Sequence, residues 1–249
     1  MTDLLATAVE HHRQGRVKQA GTLYRQVLEA EPDNPEALHL LGLLSHQSGD
    51  NAEAARLIGR AIEVNPGKAL YHFNLGLVLS AAGDADGAAR AYREVLARDP
   101  GFADAHNNLG LLLEARGEQQ AAAQCFGSAV AAAPQHVEAQ VNLARQLLLA
   151  GDPSPALDGF ERVLVLDAAL PEAHFGRGRC LDALNKPAEA ETAYRQAIAL
   201  RADYAEALGK LGALLIKGSR ATEAAEIFRR GQELHPNDPK LSANLAKVL

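Results

Sequence analysis

The chain has 249 residues, 47% hydrophobic but only 4% aromatic, with no tryptophan, so its apolar mass is alanine and leucine. That bias favours closely packed helices over a β-sandwich or an α/β core, which draw on valine, isoleucine and aromatic residues. A net charge of −6 gives no electrostatic footprint for nucleic acid, and two cysteines, Cys125 and Cys180, build no disulfide framework.

The opening stretch, MTDLLATAVEHHRQG, lacks a basic leader and a long apolar run, with Glu10 interrupting it early. It reads as a first helix ending at Gly15 rather than as a signal peptide. A second helix carries Ala20 and, four residues on and therefore on the same face, Tyr24; Pro32 closes the pair. The second unit repeats this order with Gly49, Ala54, Ile58 and Pro66, and the third with Gly83, Ala88, Tyr92 and Pro100. The fourth holds Gly117, Ala122, Phe126 and Pro134. The fifth holds Gly151, Ala156 and Phe160, with Ala168 where proline is due. Asn185, Ala190, Tyr194 and Ala202 mark the sixth, and Ser219, Ala224, Phe228 and Pro236 the seventh. Three columns stay in phase at a spacing of 34 residues. One helix pair cannot bury its own apolar face, but stacked pairs can, so the fold expected is an all-α solenoid.

The pattern resembles the tetratricopeptide repeat, in which Leu-Gly, then Ala-x-x-x-Phe, then Pro recur at fixed offsets. Leu41-Gly42, Leu75-Gly76, Leu109-Gly110 and Leu211-Gly212 carry it here. Ala8 and Ala144 stand for the glycine in units one and five, and Arg177 for the leucine in unit six. The resemblance covers seven units, 1–34, 35–68, 69–102, 103–136, 137–170, 171–204 and 205–238, with 239–249 as a capping or truncated eighth first helix. It implies a right-handed superhelix of antiparallel helix pairs whose first helices line a concave surface, through unit positions 2, 5, 6, 9, 12 and 13.

Position 6 carries Asn74, Asn108 and Asn142 in three consecutive units, and Asn244 in the last segment. Asparagine is a poor helix former, yet its amide can donate to and accept from a peptide group. A row of such residues suits an extended peptide; the superhelix of O-linked N-acetylglucosamine transferase carries a similar ladder. Bonds between neighbouring first helices, or simple exposure to solvent, are the alternatives for these amides. Asn107, at position 5, has no column and is expected to be exposed beside the ladder. Phe73, Leu77 and Leu111 make the groove apolar toward the N-terminus, while Arg145, Arg179 and Lys210 make it basic toward the C-terminus. That grading suits an acidic or terminal carboxylate on the partner; solvation of a helix face by long basic side chains is the alternative. The carboxylate clamp of chaperone-tail-binding relatives is not reproduced, since its places around Asn142 hold Asn107, Leu111, Glu172 and Gly176.

Other chemistry finds no support in spacing. His72, His106 and His174 share position 4 in different units, so they repeat a packing role instead of converging on a metal. His12, His39 and His46 could share one face near the start of the groove, without an acidic or cysteine partner at ligand spacing. Cys125 and Cys180 read as small buried hydrophobes, and Arg177 as a stem packed between helices. No catalytic set and no cofactor site emerges, and no apolar run approaches the roughly 20 residues that span a bilayer. The expectation is a cytoplasmic, non-enzymatic scaffold for a protein or peptide partner. Two rivals stay open: the recognition arm of a larger bacterial glycosyltransferase, sulfotransferase or methyltransferase, and a self-associating homo-oligomeric structural protein.

Overall fold

A computed structural model describes residues 2–248, all in helices and the short turns between them. In the compact unit Met1–Ala132 the helices are α1 (Thr2–Arg13), α2 (Val17–Ala30), α3 (Pro35–Gln47), α4 (Asn51–Val64), α5 (Ala69–Ala81), α6 (Ala85–Arg98), α7 (Ala103–Ala115) and α8 (Gln119–Ala132). In the unit Ala133–Leu249 they are α9 (Val137–Leu149), α10 (Pro153–Leu166), α11 (Pro171–Ala183), α12 (Pro187–Leu200), α13 (Ala205–Lys217), α14 (Ala221–Leu234) and α15 (Pro239–Ala246). Leu249, the last residue of the predicted final segment, lies outside the described residues.

Within each unit, odd-numbered first helices pair with the even-numbered second helices that follow, and each pair stacks on the next. Prolines start α3, α10, α11, α12 and α15, where the missing N–H forfeits no helical bond. Asn34, Asp50 and Asp84 cap α3, α4 and α6 by accepting from the backbone N–H three residues on. The turn inside each pair needs one left-handed residue. Five are glycines, at φ between 71° and 91°, and the two substitutes, Asn185 and Ser219, are held at 57° and 60°. Asparagine tolerates that region; serine occupies it against its preference.

The alanine column, Ala20, Ala54, Ala88, Ala122, Ala156, Ala190 and Ala224, is wholly buried, as are the large side chains four residues after each. The glycine of the first helix makes room for them: a Cβ on Gly76 would stand 2.5 Å from the Tyr92 ring. In the fifth pair Ala144 replaces that glycine, and Phe160 instead leans on Gly176 of α11, where a Cβ would overlap its ring. Gly176 occupies position 6, so the run of consecutive asparagines breaks there, where an aromatic ring has taken the space.

Position 4 ties each pair to the turn before it. The ring nitrogens Nε2 of His72, His106 and His174 lie 3.0, 2.9 and 3.0 Å from the carbonyls of Pro66, Pro100 and Ala168. A carbonyl can only accept, so each ring donates from Nε2. Gln140 donates from its amide to Pro134 in the same way. The repeated histidines are thus latches between consecutive helix pairs. Arg177 also finds a specific partner, Glu161 on α10, at 3.5 Å.

Candidate functional site

In the unit Met1–Ala132 the first-helix face carries Asn74 and Asn108 with the apolar Phe73, Leu77 and Leu111. Asn74 is only 9% exposed, and its Nδ2 donates to Nε2 of His39 at 2.6 Å, linking α5 to α3. His39 is 4% exposed and stacks on Tyr71 at a centroid distance of 4.6 Å. Burial, then the charge of Lys68, lowers its pKa to about 4, so the ring is neutral and its Nε2 lone pair accepts the Asn74 proton. Asn108 is half-buried and makes one long bond, 3.5 Å, from Nδ2 to the Tyr92 hydroxyl. Leu111, one turn along, is 40% exposed, while Leu77 is half-buried. Phe73 packs on Phe102 at 4.8 Å and on Tyr92 at 5.9 Å.

Asn107 does not have the exposed address expected of it. It is 2% exposed. Position 5 turns into the packing, as buried His39 and ring-packed Phe73 show at the same place in their units. Asn107 therefore offers no group to a partner on the surface. His12, His39 and His46 do not converge on one partner. His12 meets the Tyr24 hydroxyl at 3.2 Å, His39 meets Asn74, and His46 meets Asn51 at 2.7 Å.

In the unit Ala133–Leu249, Asn142 is 8% exposed on α9 and Arg145 lies one turn further on. Arg179 and Lys210 come together. Both line an open groove of about 770 Å³ between α11, α13 and α15, and both line an adjoining depression of about 390 Å³. The Arg179 guanidinium sits 6.0 Å from the Phe175 ring centroid, within reach of a cation–π attraction. Asn244, the last member of the position-6 column, and Lys240 line the larger groove, which also holds the carboxylates of Glu206 and Asp238. Asp238 is occupied in capping α15, accepting from the N–H groups of Lys240 and Leu241.

Two aromatic groups escaped the sequence reading. Phe73, Tyr92 and Phe102 recur three periods later as Phe175, Tyr194 and Tyr204, with Phe175 4.9 Å from Tyr204 and 5.9 Å from Tyr194. Period-34 columns hide this relation because its own period is three units. Burial raises the thiol pKa of Cys125, and takes that of Cys180 to about 11, so neither is a ready nucleophile.

The tetratricopeptide repeat family model matches residues 11–75, 73–137, 141–197 and 175–239. The chain belongs to the tetratricopeptide repeat family. No curated protein matches it in sequence. The solved structure of pilF from Pseudomonas aeruginosa is similar over 86% of this chain and 97% of that one, at 23% identity and a TM-score of 0.72. A C-terminal part of a repeat protein from Cytophaga hutchinsonii aligns over 97% of this chain and 99% of that one, at 17% identity and a TM-score of 0.77. YrrB, described as a tetratricopeptide protein with an unusual peptide-binding site, aligns over 78% of this chain and all of its own, at 22% identity and a TM-score of 0.67. At these identities the likeness is one of fold. No described helix of this tetratricopeptide protein is long and apolar enough to cross a membrane.

Proposed function

We propose that this tetratricopeptide protein is a non-catalytic scaffold that holds an extended segment of a protein partner against its first helices. Each of the units 1–34, 35–68, 69–102, 103–136, 137–170, 171–204 and 205–238 supplies one such helix, and 239–249 a terminal one. The observation that carries the reading is the open groove of about 770 Å³ lined by concave-type positions of three successive first helices. A groove of this size lies within the range of ligand-binding clefts. Family membership supports a protein partner, and the two free thiols suit a reducing, cytoplasmic setting.

The asparagine column enters this proposal in a reduced form. Asn74 and Asn142 are nearly buried, and Asn74 bridges two first helices, so its contribution is to set the spacing of those helices. Asn108, half-buried, and Asn244, in the wall of the groove, are the members available to a peptide backbone. The single long bond from Asn108 to Tyr92 leaves amide capacity that a peptide group can use.

A peptide-display selection on the full chain tests this. Selected peptides should lose about tenfold in affinity on Asn108→Ala, the equivalent of one well-made hydrogen bond. The unfolding midpoint should stay within about 2 °C of the parent, since a 3.5 Å bond contributes little. Peptides indifferent to Asn108 but displaced by changes at exposed Arg93 or Gln124 on the second helices would overturn the reading.

A further inference from the structure

Three second-helix tyrosines occupy the same place in their units, Tyr24, Tyr92 and Tyr194, and all three rings are buried. Two of the hydroxyls are satisfied. Tyr24 meets His12, twelve residues earlier, at 3.2 Å, and Tyr92 accepts from Asn108, sixteen residues later. For Tyr194 the equivalent residues are Asp182 and Lys210, and neither bonds to it. Its hydroxyl is buried and has no hydrogen-bond partner among the described residues. Asp182 is directed elsewhere, to Lys217 at 3.5 Å. An orphaned buried hydroxyl is costly, and native proteins seldom leave one without a use.

Tyr194 belongs to the wall of the 390 Å³ depression, together with Arg179, Lys210, Lys217 and Asp182. Three cations therefore stand around one donor hydroxyl, against one carboxylate that is already paired. Burial and the Asp182 charge raise the phenol pKa, so the hydroxyl stays protonated and able to donate.

Resting on the reading of the first-helix face as a groove for an extended chain, we propose that this depression is an anion site that takes the carboxylate of an Asp or Glu side chain within the partner segment. The carboxylate accepts from the Tyr194 hydroxyl and pairs with Arg179 and Lys210, contacts that favour the charged form and a planar acceptor. An internal acidic residue fits better than a chain end. Arg179 and Lys210 border open space on both sides, the depression and the larger groove, so a bound chain can run past them. The apolar side chain next to the acidic residue would lie toward Phe175.

The test uses the full chain and three short synthetic peptides, read by fluorescence anisotropy. One has a central Glu-Glu pair with both ends blocked, the second has Gln-Gln in its place, and the third is neutral with a free C-terminal carboxylate. The Glu peptide should bind at least about tenfold more tightly than the Gln peptide, and less tightly as salt rises. Tyr194→Phe, which removes only an unbonded oxygen, should weaken the Glu peptide about tenfold without lowering the unfolding midpoint. Lys210→Gln, at an exposed side chain, should do the same. Equal binding of the Glu and Gln peptides overturns the anion site; if Asn244→Ala, in the larger groove, still reduces both, the groove reading survives without it. Failure of all three peptides to bind, or indifference of the Glu peptide to Tyr194→Phe and Lys210→Gln, also overturns it. Preference for the neutral peptide with a free end would replace the side-chain carboxylate by a terminal one.

Discussion

Acidification should loosen the first compact unit through one residue, His39. Its ring is buried, stacked on Tyr71 and accepting from Asn74, and burial lowers its pKa from 6.5 to about 4. Between those values the unfolded chain takes up a proton that the folded chain refuses. Stability from this group is therefore complete above the unfolded value, near pH 7, and is lost as pH falls toward 4. A difference of about 2.5 pKa units at 1.36 kcal/mol each sets the full effect at ~3 kcal/mol, most of it realised by pH 4.5. Carboxylates titrate over the same range, so the comparison must be with a variant that lacks only this proton site. His39→Gln keeps an acceptor for Asn74 and does not titrate. Urea unfolding followed by circular dichroism at pH 7.5 and pH 4.5 should show a smaller acid loss for His39→Gln, by roughly 2 kcal/mol. Equal losses in both proteins would mean that the imidazole is solvated enough to protonate in the folded state. The link drawn between α3 and α5 through Asn74 would then be wrong.

Two further predictions concern packing and backbone. Gly176→Asn, which extends the asparagine column by one unit, should destabilise by about 2 kcal/mol because the new side chain overlaps the Phe160 ring. Adding Ala144→Gly should recover much of that loss, since it reopens the space the aromatic side chain uses in other units; no recovery would show that Phe160 is fixed by something else. Ser219→Gly should stabilise by about 0.5–1 kcal/mol, as serine is held at a φ of 60°, and Asn185→Gly by less. A shift in urea midpoint reads both, and a loss of stability on Ser219→Gly would contradict the backbone argument.

The fold was legible because a solenoid writes its contacts into a fixed period. Every alanine of the column is buried, every large side chain four residues on is buried, and the turn residue is left-handed even where glycine is absent. The candidate site was legible only by face. The family resemblance assigns position 5 to the concave surface, yet Asn107 is buried where exposure was expected. Position 6 was treated as one column, but its members do different work: Asn74 is tied to His39, Asn108 reaches Tyr92, and Gly176 yields to Phe160. Those outcomes depend on residues 16 to 35 positions away, which a period-34 alignment places in other columns. Tyr194 was hidden for the same reason. Its sequence neighbours mark it as core, and only the missing partner at Asp182 and Lys210 sets it apart.

Photo-crosslinking tests the proposed scaffold role most directly. A photoreactive side chain placed at Ala213, exposed on α13 and lining the open groove, should label a peptide selected for binding to the full chain. The same group at Glu226, exposed on the second helix α14, should not. Labelling from Glu226 with none from Ala213 would place the partner on the opposite helices and contradict the role proposed for the groove.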